Sequence, residues 1–141
     1  HRGAAGAPSL LLEFQPDVLE DGRVAVAAVT ELELGSVDGV PLAVTDACTC
    51  GAATLLLAAA ENTPDAVADG PVMGGAVGVL AGSRLRMAPL LEADGLPSRR
   101  KAEGLAQLGP AFFALTDPDD GGKAAELCRV ELEGPWFLAG L

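Results

Sequence analysis

Apolar residues recur along this chain in short runs divided by turn residues. Ser9 to Phe14 is a first run, read as a strand. Gln15-Pro16-Asp17 interrupts it, and Glu20-Asp21-Gly22 is a turn signal. Arg23 to Leu34 carries Val24, Val26, Val29, Leu32 and Leu34, and its first half alternates as a strand with one buried face should. Gly35 to Gly39 reads as a loop. Pro41 then opens a long stretch with almost no charge, running to Asn62. Pro suits a first helical position, where its missing N–H would lack a partner anyway. Ala and Leu dominate the rest of the stretch, and both are good helix formers. No polar stripe breaks the run, so the pattern predicts a helix over Pro41–Asn62 that is buried all round.

Asn62-Thr63-Pro64-Asp65 ends that stretch, and Asp65 to Gly70 reads as a connecting loop. Val72 to Ala88 reads as a strand whose start is weakened by Gly74, Gly75 and Gly78. Glycine inside a strand often marks close backbone approach. Glu92 to Gly104 reads as a surface loop or short helix holding the basic run Arg99-Arg100-Lys101. Leu105 to Thr116 is a strand around Phe112 and Phe113. Asp117 to Gly122 is the strongest turn, and Ala124 to Glu133 returns as a strand, so these two make a hairpin. Trp136 and Phe137 are expected to close the core. The order of elements predicts an α+β domain over residues 1–141, an antiparallel sheet wrapped around one long central helix.

Composition narrows the function classes. The chain has 141 residues, half of them hydrophobic, which suits one domain with a real core. Its formal net charge is -11, from 9 basic and 20 acidic residues. That balance argues against nucleic acid, which calls for clustered Lys and Arg, and against an anionic membrane surface. No apolar run reaches transmembrane length, and His1 to Gly6 lacks a signal-peptide core. The odd cysteine count (Cys48, Cys50 and Cys128) does not suggest a disulfide framework. A cytoplasmic protein with reduced thiols is expected.

Four stretches together resemble a known family. They are His1-Arg2 with Leu10-Leu11-Leu12, then Val29-Thr30-Glu31-Leu32-Glu33, then Pro41 to Ala53, then Gly74 to Met87. In order and spacing they are similar to the hot-dog-fold 3-hydroxyacyl-acyl-carrier-protein dehydratases of fatty-acid and polyketide synthesis. The resemblance implies a hot-dog fold and a homo- or heterodimer with another hot-dog subunit. It also implies an acyl carrier protein with a phosphopantetheine-bound acyl chain as partner, with no added cofactor or metal. Such enzymes place a His on the loop before the central helix and a carboxylate on that helix. Here Leu34 to Val40 holds no His, and His1, the only one in the chain, matches a different position. Asp46 is placed on the helix carboxylate. The resemblance therefore implies Asp46 and, less directly, His1 as catalytic groups. It implies Cys50, Gly74, Gly75, Arg99 and Arg100 as substrate contacts. The missing His implies the non-catalytic half of a heterodimer, with a non-enzymatic assembly subunit or an acyl-thioester hydrolase as alternatives.

Other chemistry stays open on the residues themselves. Asp46 could equally be a carboxylate favoured near a helix start. Cys48-Thr49-Cys50 could hold a nucleophile or two thiols packed as small apolar groups. Zinc spacing is absent. Arg99 to Lys101 could contact an acidic carrier protein or a phosphate, or could be a solvated loop. Asp117 to Asp120 is better explained as a turn than as a calcium site.

Overall fold

A computed structural model describes residues 8–14, 25–63, 70–134 and 136. Its elements are β1 (Ser9–Phe14), β2 (Val26–Leu32), β3 (Ser36–Val37), β4 (Val40–Pro41), β5 (Ala43–Cys50) and β6 (Ala53–Glu61). They continue with β7 (Val72–Ala81), β8 (Arg84–Pro89), β9 (Ala102–Leu108), β10 (Ala111–Thr116) and β11 (Leu127–Val130). No helix occurs among the described residues.

The α+β expectation is therefore overturned, and the hot-dog fold with it. The stretch Pro41–Asn62 is not a central helix. It holds β5 and β6, joined as a hairpin by Gly51 and Ala52, with Cys50 opposite Ala53. The cause lies in burial. β6 is covered on both faces: Leu55 and Leu57 point one way, Leu56 and Ala58 the other, and all four are at most 1% exposed. A strand apolar on both faces loses the alternation that marks a strand and looks like a helix apolar all round. Local chemistry favoured the hairpin. Val44, Thr45, Thr49 and Thr54 are β-branched, and Gly51 takes a φ of 58°, which turns the chain where a helix would have continued.

The other strand expectations were coarser than the fold. β1 spans Ser9–Phe14, as its apolar run predicts. The run Val72 to Ala88 is two strands, β7 and β8, divided at Gly82-Ser83. Leu105 to Thr116 is likewise divided at Gly109-Pro110 between β9 and β10. β10 pairs antiparallel with β11 around the Asp117–Gly122 turn. Trp136 packs against the edge of the core, under the Arg86 guanidinium 5.5 Å from its ring centre. Phe137, Val24 and the Gln15–Gly22 segment lie outside the described residues.

The strands form layers. The central one is a four-stranded antiparallel meander in the order β5-β6-β7-β8. One face meets the three-stranded sheet β11-β10-β9, and Leu55, Leu57, Val77 and Val79 pack there on Leu105, Phe112, Ala114 and Val130. On the other face Leu56, Ala58 and Leu80 pack on Leu32 and Leu34, with Leu11 of the β1-β2 ribbon beside them. Each fully buried Leu contributes roughly 1.5–3 kcal/mol of transfer free energy.

The layers are also tied at one edge. β5 has a bulge between Val44 and Asp46, so Thr45 is an extra residue in the ladder. A bulge breaks the strict alternation of side-chain direction, and here consecutive side chains reach the same neighbouring strand. Thr45 Oγ1 donates to the Ala102 carbonyl at 2.8 Å, and Asp46 Oδ2 accepts from the Leu105 N–H at 2.6 Å. Both partners lie on β9, the edge strand of the next sheet.

Candidate functional site

The connections between strands are of two kinds. At one end of the layers β5–β6, β7–β8 and β9–β10 are joined by two residues each: Gly51-Ala52, Gly82-Ser83 and Gly109-Pro110. In all three the first residue is a glycine with φ of 58–59°, a value that glycine adopts without a Cβ penalty. At the opposite end the connections are long: Glu61 to Val72, Pro89 to Ala102, and Thr116 to Leu127. Loops held by a rigid scaffold are where binding groups concentrate. Here three of them gather at one end.

Those connections enclose an open cleft of about 740 Å³, lined by residues 70–72, 99–101, 116–119, 123, 124 and 126. Arg99, Arg100, Lys101 and Lys123 all line it, four of the chain's nine basic residues. Facing them in the lining are Asp117, Asp119 and Glu126. The cleft thus gathers nearly half of the basic residues of a chain of net -11.

Lys101 forms the floor. Its side chain is only 7% exposed, and its ammonium lies 2.6 Å from Asp119 Oδ2, 3.5 Å from Glu103 Oε1 and 3.8 Å from Glu61 Oε1. Glu61 is as deeply buried and also accepts from the Gly70 N–H at 3.1 Å. A buried ammonium needs such compensation, since an unpaired one would cost several kcal/mol. The Lys101 carbonyl accepts from the Asp117 N–H at 2.8 Å, which ties the 117–126 loop to the floor.

The wall is a second network. Glu92 accepts from Ser98 Oγ at 2.6 Å and from Arg100 Nε at 3.0 Å, and Arg100 also pairs with Glu126. The Ser98 hydroxyl, and after it the Arg100 guanidinium, hold Glu92 below the usual carboxylate range against an opposing effect of burial. Reciprocally, Glu92 and then Glu126 raise Arg100 further. Arg99 and Lys123 are exposed at the rim, Lys123 beside Asp120 at 3.3 Å.

The residues singled out from the sequence are not brought together. Arg99 and Arg100 are in the cleft. Asp46 has both oxygens in backbone hydrogen bonds, one to Leu105 and one to its own neighbour Ala47 at 2.8 Å. Gly74 and Gly75 are buried and face no tunnel: a Cβ on Gly74 would stand 3.0 Å from Val37 Cγ1, and one on Gly75 would meet Ala58 O and Leu90 at 3.5 Å. Gly75 is instead a backbone hub, donating to Ser98 O and accepting from Leu90 N–H. Cys50 is 1% exposed in the core. Burial raises its thiol, and raises that of Cys48 with help from Cys50 and Asp46. An activated nucleophile needs the opposite shift. His1 lies outside the described residues.

Sequence reasoning missed Lys101, Glu61 and Asp119 as a unit. The available signal was local: Lys101 directly precedes an apolar strand in a chain with only two lysines. Nothing in the spacing linked it to Glu61 or Asp119. No helix among the described residues is long and apolar enough to cross a membrane. No curated protein and no solved structure matches the chain significantly. The profile of a family described as a family of unknown function, DUF6929, matches residues 1–132, and the chain belongs to that family.

Proposed function

We propose that the protein is a non-enzymatic binding module whose cleft, at the long-loop end of the stacked sheets, takes a ligand bearing a phosphate or carboxylate group. One observation carries this reading: four of nine basic residues of a strongly acidic chain surround a single cleft. Arg99 and Lys123 at the rim supply the anion contacts. Arg100 and Lys101, fixed by carboxylates, shape the wall and floor. A guanidinium such as that of Arg99 suits bidentate recognition of either anion.

The dehydratase role expected from the resemblance needs a carboxylate on a long central helix. The stretch expected to supply it forms the β5–β6 hairpin, which offers no such helix. Carrier-bound phosphopantetheine remains one member of the proposed ligand class, since it carries a phosphate. Three free cysteines support a reducing, cytoplasmic setting.

Inorganic phosphate is the first probe, titrated into isotope-labelled protein while backbone amide shifts are followed by NMR. Saturable shifts at residues 98–101 and 117–126, reduced at least several-fold in affinity by Arg99→Ala or Lys123→Ala, support the reading. Shifts no larger than those from sodium chloride at equal ionic strength overturn it.

A further inference from the structure

The stack of layers is apolar on its outside as well as its inside. On the β1-β2 ribbon, Leu11 and Leu32 face inward. The ladder places Leu10 opposite Glu31, Leu12 opposite Val29 and Phe14 opposite Val26 on the other face. There Leu10, Leu12, Phe14, Val26 and Val29 are 36–59% exposed. On the β11-β10-β9 sheet, Phe112, Ala114 and Val130 face inward. Leu115 opposite Leu127, Phe113 opposite Arg129, and Leu108 face outward. Leu108 and Leu127 are 74% and 71% exposed. A contiguous apolar sheet face of this kind marks an interaction surface rather than scattered surface residues.

The two outward faces match each other. Both are antiparallel and rich in Leu with a Phe, the ribbon adding Val26 and Val29, and each carries one charged residue among the apolar ones: Glu31 on the ribbon and Arg129 on the three-stranded sheet. Arg129 pairs with Glu131 at 3.6 Å, both side chains about 70% exposed, a pairing worth little in water. Inside the chain, sheets of this composition already stack face to face in two successive layers.

We propose that the outer face of the β11-β10-β9 sheet docks on the outer face of the β1-β2 ribbon of a second copy of this chain. Arg129 of one copy then meets Glu31 of the next. The contact is head-to-tail, because the two faces differ. Within the chain the central and three-stranded sheets approach most closely along β5 and β9. The proposal is independent of the anion cleft, whose lining residues lie at the ends of the strands and not on these faces.

The test is the mass of the full chain in solution by light scattering across a concentration series. Species larger than one chain, with mass rising with concentration, are expected. Leu12→Glu and Leu127→Glu each disable one face at an exposed position, and circular dichroism checks that each variant retains its strands. Each variant alone is expected to be monomeric. Mixed one to one, they retain one intact pair of faces and are expected to give a single species of two chains. A wild-type chain that stays monomeric at all concentrations overturns the proposal. So does a mixture that stays monomeric, or one in which either folded variant still self-associates fully.

Discussion

The Asp46 carboxylate on β5 receives the Leu105 N–H of β9 at 2.6 Å, joining two sheets through a side chain where no ladder connects them. An edge strand leaves backbone groups without partners, and a buried donor in that position costs free energy if nothing accepts from it. Asp46→Ala is expected to lower stability by about 1–3 kcal/mol, the cost of stranding that donor. Asp46→Asn keeps an acceptor and should lose less. Urea unfolding measures the difference. Faster hydrogen exchange at the Leu105 amide in the alanine variant would locate it, and unchanged exchange there would contradict this account.

Removing Lys101 should be costlier than removing any rim cation. Lys101→Met takes the buried ammonium away from Asp119, Glu103 and the 7% exposed Glu61, and breaking a buried pair on one side typically costs about 3–5 kcal/mol. The double variant Lys101→Met with Glu61→Gln removes the Glu61 charge as well and should recover part of that loss. A double-mutant cycle in guanidinium reads the coupling. Arg99→Ala, at an exposed position, should change stability little.

Two glycines should respond differently to the same substitution. A Cβ on Gly70 would collide with the Asn62 carbonyl, which is backbone. A Cβ on Gly78 would collide with Met87 Sδ, near the end of a flexible side chain. Gly70→Ala should therefore destabilise by at least about 1–3 kcal/mol, in the range for forced overpacking. Gly78→Ala should cost less, and adding Met87→Ala should relieve the clash while opening space beside Leu80 and Leu85. Thermal unfolding of the three variants orders them.

Glu92 supplies a pH dependence of definite sign. Its folded pKa is below its unfolded one, chiefly through the Ser98 hydroxyl. The contribution to stability is therefore complete above the ordinary unfolded value of about 4.3. It disappears as pH falls through the lower folded value. Ser98→Ala should move the Glu92 titration, followed by carboxyl carbon NMR, upward toward the unfolded value. A titration that does not move would remove Ser98 from its assigned role.

The strands were more legible than their partnership. β1 was readable because the apolar run of Leu10, Leu11 and Leu12 stops at Gln15-Pro16-Asp17, and the β10–β11 hairpin because Asp117 to Gly122 admits little except a turn. The β5–β6 hairpin was hidden by the burial of β6 on both faces, which erases the period of two. Gly51 and the β-branched Val44, Thr45, Thr49 and Thr54 were the local signs against a helix there. Two-residue turns at Gly82 and Gly109 were hidden in the same way, since apolar residues on both sides made each hairpin look like one strand. Of the cleft, the basic run Arg99 to Lys101 and the Asp117 to Asp120 turn were visible, but not as parts of one site. Its floor is assembled by sheet stacking from residues far apart in sequence, and no local pattern records that.

The separation of short and long connections has an evolutionary consequence. The turns at Gly51, Gly82 and Gly109 are locked into strand register, so an inserted residue there would slip a ladder and turn buried side chains outward. The connections after Glu61, Pro89 and Thr116 carry no such constraint along most of their length. Lineages of this family can therefore lengthen and recompose one rim of the molecule while the layered interior stays the same. Sequence at that rim should diverge faster among them than architecture.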